Sequence, residues 1–83
     1  MAELTEAVEE IVAVSEEIKE QANKIKDDGN LHLSHHKYSL AAEKYTDALA
    51  LYPCAIFYSN RAQALIKLES FGMAIADANA AIK

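Results

Sequence analysis

Residues 29 to 53 read GNLHLSHHKYSLAAEKYTDALALYP, and the chain answers them 33 positions later. Gly29 aligns with Ala62, Leu33 with Ile66, Tyr38 with Phe71, Leu40 with Met73, Ala41 with Ala74, Ala48 with Ala81 and Leu49 with Ile82. Small residues stand where two helices of a pair would approach closely, and large ones where a helix fills the gap to its neighbour. Each unit reads as helix, short turn, helix: 22–35 then 38–51, and 55–68 then 71–83. Pro53 separates the units, because it cannot donate an N–H and it disfavours helix at Tyr52. A period of this length built from paired helices predicts an all-α fold, an α-solenoid of two antiparallel helix pairs.

Upstream of the repeats, residues 1–21 form an acidic amphipathic segment that is helical by pattern. Leu4, Ile11, Ile18 and Ile25 recur every seven residues, and Val8, Ser15 and Ala22 fall four after each of the first three. That is a heptad seam with Ser15 as its weak point. Val12 and Val14 widen the apolar side, which favours packing on a domain over a narrow two-stranded zipper. Ser15 followed by Glu16 and Glu17 could also cap a fresh helix, so one long helix or a break near Ser15 are both open. The expected organisation is thus 1–21 as an N-terminal helix and 22–83 as two repeats, 22–54 and 55–83.

Composition excludes several classes. With 83 residues, 52% hydrophobic and 25% charged, the chain is one small domain of ordinary globular balance. Only two glycines and one proline are present, too few for a hairpin-rich β protein. No apolar run of about 18 residues suggests a membrane span. The net charge of -5 is uneven. Residues 1–22 hold seven glutamates against Lys19, net −6, and residues 23–83 hold seven bases against six acids, net +1. There is no basic stripe, so nucleic-acid binding is not expected. A single cysteine, Cys54, suits a reducing compartment, cytoplasmic or also nuclear.

Within this scaffold Lys26 and Asn30 are four apart and stand on one helical face, with Asn60 in the matching helix of the second unit. Two faces that each offer amide or ammonium donors could hold a carboxylate between them. Leu33, Gln63, Ile66 and Lys67 lie a turn or two further along the same faces and form a secondary groove. On spacing alone, Lys26 and Asn30 also suit solvated helix positions; the placement of Asn60 favours the groove.

Gly29, Ala41, Tyr45, Ala48 and Pro53 fall at the spacing of the tetratricopeptide repeat signature, and the chain resembles that family over residues 22–83. The aromatic usual after the glycine is replaced by His32. The second unit keeps Ala62, Ala74 and Ala81, and a link one residue short explains 33 instead of 34. Lys26 and Asn30, then Tyr58, Asn60 and Arg61, are further similar to the K-x-x-x-N and Y-x-N-R pattern of the carboxylate-clamp subset. That resemblance implies a co-chaperone module gripping the C-terminal Glu-Glu-Val-Asp tails of heat-shock protein 90 or 70, with Lys26, Asn30 and Asn60 on the carboxylates. Leu68 to Ile82 is similar to the repeats that precede the catalytic domain in the protein phosphatase 5 family, where such a domain would also be autoinhibitory. A tail that ends in two adjacent carboxylates needs several donors at fixed spacing, which lysine and asparagine on rigid helices supply. The family completes its clamp with a lysine and an arginine from a third repeat. That repeat is absent before Lys83, so weak tail binding and an uncovered apolar side on the last helix pair are expected, favouring homo-oligomers.

The other polar residues read more plainly. Arg61 is expected to be a structural salt-bridge or cap partner. His32, His35 and His36 are expected to serve packing and solvent rather than a metal, and Cys54 is a loop thiol without an activating base. Tyr38, Tyr45, Tyr58 and Phe71 stand at helical spacing as core. No phosphate loop, activated nucleophile or metal set appears, so neither enzyme activity nor a cofactor is expected of these residues. The competing reading is a self-associating structural fragment that uses residues 3–25 as an oligomerisation helix.

Overall fold

The computed structural model describes the backbone of Ala2–Ile82 and side chains from Glu6 onward, so the Leu4 side chain of the heptad seam and Lys83 lie outside the described residues. The described residues form four helices and no strand: α1 (Ala2–Ser34), α2 (Tyr38–Leu51), α3 (Ala55–Lys67) and α4 (Phe71–Ile82). The fold is all-α, as the repeat pattern requires. α1 runs unbroken through Ser15. Its first glycine is Gly29 and it has no proline, so nothing interrupts the hydrogen-bond ladder. At about 1.5 Å per residue it is a rod of about 50 Å, which sets the long dimension of a molecule measuring 54 × 25 × 13 Å.

The repeat is written into the backbone as well as the side chains. At the end of α1, the Lys37 N–H donates to the His32 carbonyl (2.9 Å) and the His36 N–H to that of Leu33 (3.1 Å). At the end of α3, the Ser70 N–H donates to Leu65 (2.8 Å) and the Glu69 N–H to Ile66 (3.0 Å). These are two Schellman closures. Each turns on a left-handed residue, His36 and Glu69, both at φ 61° and 33 positions apart. The following helices start alike, with Ala41 donating to Lys37 and Ala74 to Ser70. Between the units, Tyr52 is extended (φ −151°, ψ 97°), the conformation a residue before proline prefers.

α2 packs against α1 and α3, and α4 packs against α3, so each helix meets its chain neighbours. One core cluster gathers Ala22, Ala48, Leu49 and Phe57, with Ile25, Tyr52, Cys54 and Tyr58 against it. A second gathers Ala41, Tyr45 and Ala64, flanked by Leu33 and Ala42. Alanines at the crossings let large residues seat: Tyr45 and Phe57 are the largest fully buried side chains. Gly29 serves the same end, since a Cβ there would lie 2.6 Å from Tyr45 Cε1.

Two expectations about packing are corrected. Val12 and Val14 do not pack on the domain: with Val8 and Ile11 they are more than half exposed, and partial burial of α1 begins at Ile18. α1 is one unbroken helix, and its residues from Glu6 to Glu17 are exposed, so that part of it projects past the repeats instead of packing on them. Phe71 is not core either, being 57% exposed. Its counterpart Tyr38 is half-buried and shares a concavity with Ile66 and Lys67 of the following repeat, and no described helix follows α4. The contrast recurs further along: Leu49 is 8% exposed under α3, whereas its counterpart Ile82 is 84% exposed.

Candidate functional site

The groove residues lie on α1 and α3, the first helices of the two repeats, which both pack against α2. The Asn60 side-chain amide donates to Asn30 Oδ1 at 3.4 Å, a long bond that joins the two repeats. The same oxygen accepts the Tyr45 hydroxyl at 2.5 Å. Burial raises the Tyr45 pKa above that of a free phenol, so the hydroxyl keeps its proton. Lys26 stands one turn before Asn30, with its ammonium 3.1 Å from the Asp27 carboxylate. Asp27 is mostly exposed, so this neighbour pair is weak and an incoming anion can compete with it. Leu33, Gln63, Ile66 and Lys67 line one concavity of about 390 Å³ together with Ser34, His36 and Tyr38. Leu33 and Gln63 each follow their asparagine by three residues, so the concavity opens one turn beyond the amide pair.

Arg61 points away from that groove. Its guanidinium donates from Nε to Asp77 Oδ2 (2.8 Å) and from Nη2 to Asp77 Oδ1 (2.7 Å), a bidentate pair between α3 and α4. Nη1 reaches Thr46 Oγ1 of α2 at 3.1 Å, and the group lies 5.7 Å over the Tyr58 ring. The hydrogen bonds it donates to Asp77 raise the Arg61 pKa further, against a smaller opposing effect of burial. Asp77, only 5% exposed, escaped the sequence reading. The signal was present: it is the lone acid in the apolar run FGMAIADANAAI, and a buried acid needs a partner.

A larger concavity of about 590 Å³ is lined by residues of α2, α3 and α4, among them Glu43, Lys44 and Asp47, and there Arg61 is already committed to Asp77. It offers no free amide pair. The histidines do not converge. His32 is half-buried, His35 and His36 are exposed, and His36 Nδ1 lies 2.7 Å from the Tyr38 hydroxyl. Among the described residues no group of three or more His, Cys, Asp or Glu is placed to hold a metal. Cys54 is half-buried at the N-cap of α3 against the first core cluster, more enclosed than a loop thiol. No described helix is long and apolar enough to cross a membrane.

Three known proteins are similar to this chain. A serine/threonine-protein phosphatase T from Aspergillus oryzae is 51% identical over 49 residues, 58% of this chain and 10% of the relative. A small glutamine-rich tetratricopeptide repeat-containing protein 2 from Saccharomyces cerevisiae is 41% identical over 51 residues, 60% of this chain and 15% of the relative. A protein SGT1 homolog from Oryza sativa subsp. japonica is 51% identical over 47 residues, 55% of this chain and 13% of the relative. No family model matches the chain. The matched part of the chain spans about a tenth to a seventh of these relatives. Together with the 33-residue helix-pair period, the likeness supports a tetratricopeptide-type helical repeat.

Proposed function

We propose that this chain is a protein-interaction module of a cytoplasmic co-chaperone, taking acidic C-terminal tails of the Glu-Glu-Val-Asp type carried by heat-shock protein 90 or 70. Lys26, Asn30 and Asn60 contact the terminal carboxylates, and Leu33, Gln63, Ile66 and Lys67 receive the residues before them. The observation that carries this reading is the meeting of Asn30 and Asn60 across two repeats, directly before an apolar concavity with Lys67 on its wall. Amides donate without adding charge, and Lys26 supplies the cation, the donor set a carboxylate needs. Charge-assisted bonds of about 1.5–3 kcal/mol each, set against an association cost of about 4 kcal/mol or more, leave at most about 5 kcal/mol from these three donors, a Kd no tighter than on the order of 10⁻⁴ M. Titration of a labelled Glu-Glu-Val-Asp peptide tests it. Saturable binding that disappears with Lys26→Ala is expected; binding that survives Lys26→Ala and Asn60→Ala together overturns it.

The exposure of Ile82 beside the burial of Leu49 favours a second reading, in which the bare face of α4 meets another copy of the chain. Sedimentation at rising concentration separates the two: an Ile82→Lys variant that stays monomeric where the parent chain dimerises supports self-association.

A further inference from the structure

We infer that Tyr45, a core residue that does not line the groove, sets which way the Asn30 amide faces and so decides whether Asn30 can donate to an anion. The inference rests on the carboxylate-binding reading above and deepens it. Asn30 Oδ1 accepts from two sides, the Tyr45 hydroxyl at 2.5 Å and the Asn60 amide at 3.4 Å. With its oxygen held inward, the Nδ2 arm points out from an exposed side chain, and no described residue takes its hydrogens. The reverse orientation would set an NH₂ against the phenol. Tyr45 is fully buried, and its O–H has Asn30 Oδ1 as its acceptor; turning the amide would orphan that hydrogen in the core. The orientation is therefore dictated from beneath, by packing, before any ligand arrives.

Gly29 belongs to the same device. Its missing Cβ is the space the ring occupies, since that atom would sit 2.6 Å from Cε1 and 2.9 Å from Cδ1. Glycine admits the ring, the ring carries the hydroxyl to Asn30, and the hydroxyl turns the next residue's amide outward. Tyr45 is thus a positioning residue: it touches no ligand and acts through Asn30.

Tyr45→Phe tests this, because it keeps the ring and removes only the hydroxyl. In the parent chain, Asn30 Nδ2 protons should show only weak NMR cross-relaxation to the Tyr45 ring; in Tyr45→Phe, where only the long Asn60 bond still holds the amide, cross-relaxation to the ring should strengthen. Affinity for the Glu-Glu-Val-Asp peptide should fall by up to about twofold, the factor by which the competent orientation is depopulated when both are sampled equally. In an Asn30→Ala background Tyr45→Phe should leave affinity unchanged, which a general loosening of the groove would not do. Asn30 Nδ2 protons lying against the Tyr45 ring in the parent chain, or equal losses in both backgrounds, would overturn the inference. A parent chain that binds no peptide yet shows the outward amide would refute the carboxylate-binding reading while leaving the positioning role intact.

Discussion

Gly29→Ala should destabilise the chain although it replaces the poorest ordinary helix former with the best. In a free helix the exchange gains about 1 kcal/mol. Here the new Cβ would lie 2.6, 2.9 and 3.1 Å from Cε1, Cδ1 and Cζ of Tyr45, where carbon contacts settle near 3.5–4.0 Å. The ring must retreat by about 1 Å, yet it is fully buried among Ala41, Ala64, Leu33 and Ala42. Overpacking costs about 1–3 kcal/mol or more, and pulling the hydroxyl off Asn30 adds about 0.5–1.5 kcal/mol. The net expectation is a loss of about 1–3 kcal/mol. Gly72 is the internal control: it also lies in a helix, but nothing stands within 4 Å of the Cβ it would gain. Gly72→Ala should therefore be neutral or stabilising by up to about 1 kcal/mol. Urea unfolding followed by circular dichroism measures both. In a Tyr45→Leu background the penalty for Gly29→Ala should shrink or change sign. Equal effects of the two glycine substitutions in the parent chain would refute the steric argument.

Other residues make independent predictions. Glu69→Gly should raise stability by about 0.5–1 kcal/mol, because the left-handed φ of 61° costs an L-residue about 1–2 kcal/mol and glycine's extra chain entropy returns part of it; a thermal melt reads the shift. Asp77→Ala should cost about 2 kcal/mol by stranding the half-buried Arg61 guanidinium, and Arg61→Leu added to it should recover part of the loss, as a double-mutant cycle would show. Asp27→Asn should tighten binding of an acidic tail by up to about fivefold by freeing Lys26, with little change in stability, checked by titration at low and high salt. Tyr45 has its pKa raised in the folded state, so its contribution is complete below the free-tyrosine value of about 10 and is lost as pH climbs past it. Unfolding midpoints between pH 8 and 11 should fall less steeply for Tyr45→Phe than for the parent chain.

The sequence carried the helices because their determinants are local. Pro53 stops α2, and the 33-residue echo places every turn within a residue or two of the structure. The Schellman closures were less visible, since His36 and Glu69 occupy positions where glycine is the usual signal. The four secondary-groove residues could be listed from helical spacing, and they do share one concavity. What spacing could not supply was the layer beneath. That Tyr45 would reach Asn30 depends on a ring threading past Gly29, a contact fifteen residues apart along the chain. Likewise the partner of Arg61 depends on how α4 crosses α3. Phe71 misled because a side chain's chemistry states its preference for burial, whereas burial itself needs a neighbour, and the described helices end with α4.

The most direct test of the central claim compares two peptides that differ by one group and one charge: a Glu-Glu-Val-Asp tail with a free C-terminal carboxylate and the same tail ending in a carboxamide. Calorimetry on the parent chain and on Asn30→Ala should show binding of the acid far above that of the amide, and of the acid markedly weaker to Asn30→Ala than to the parent chain. Equal binding of acid and amide, or undiminished binding to Asn30→Ala, would contradict a groove in which Lys26, Asn30 and Asn60 hold a terminal carboxylate.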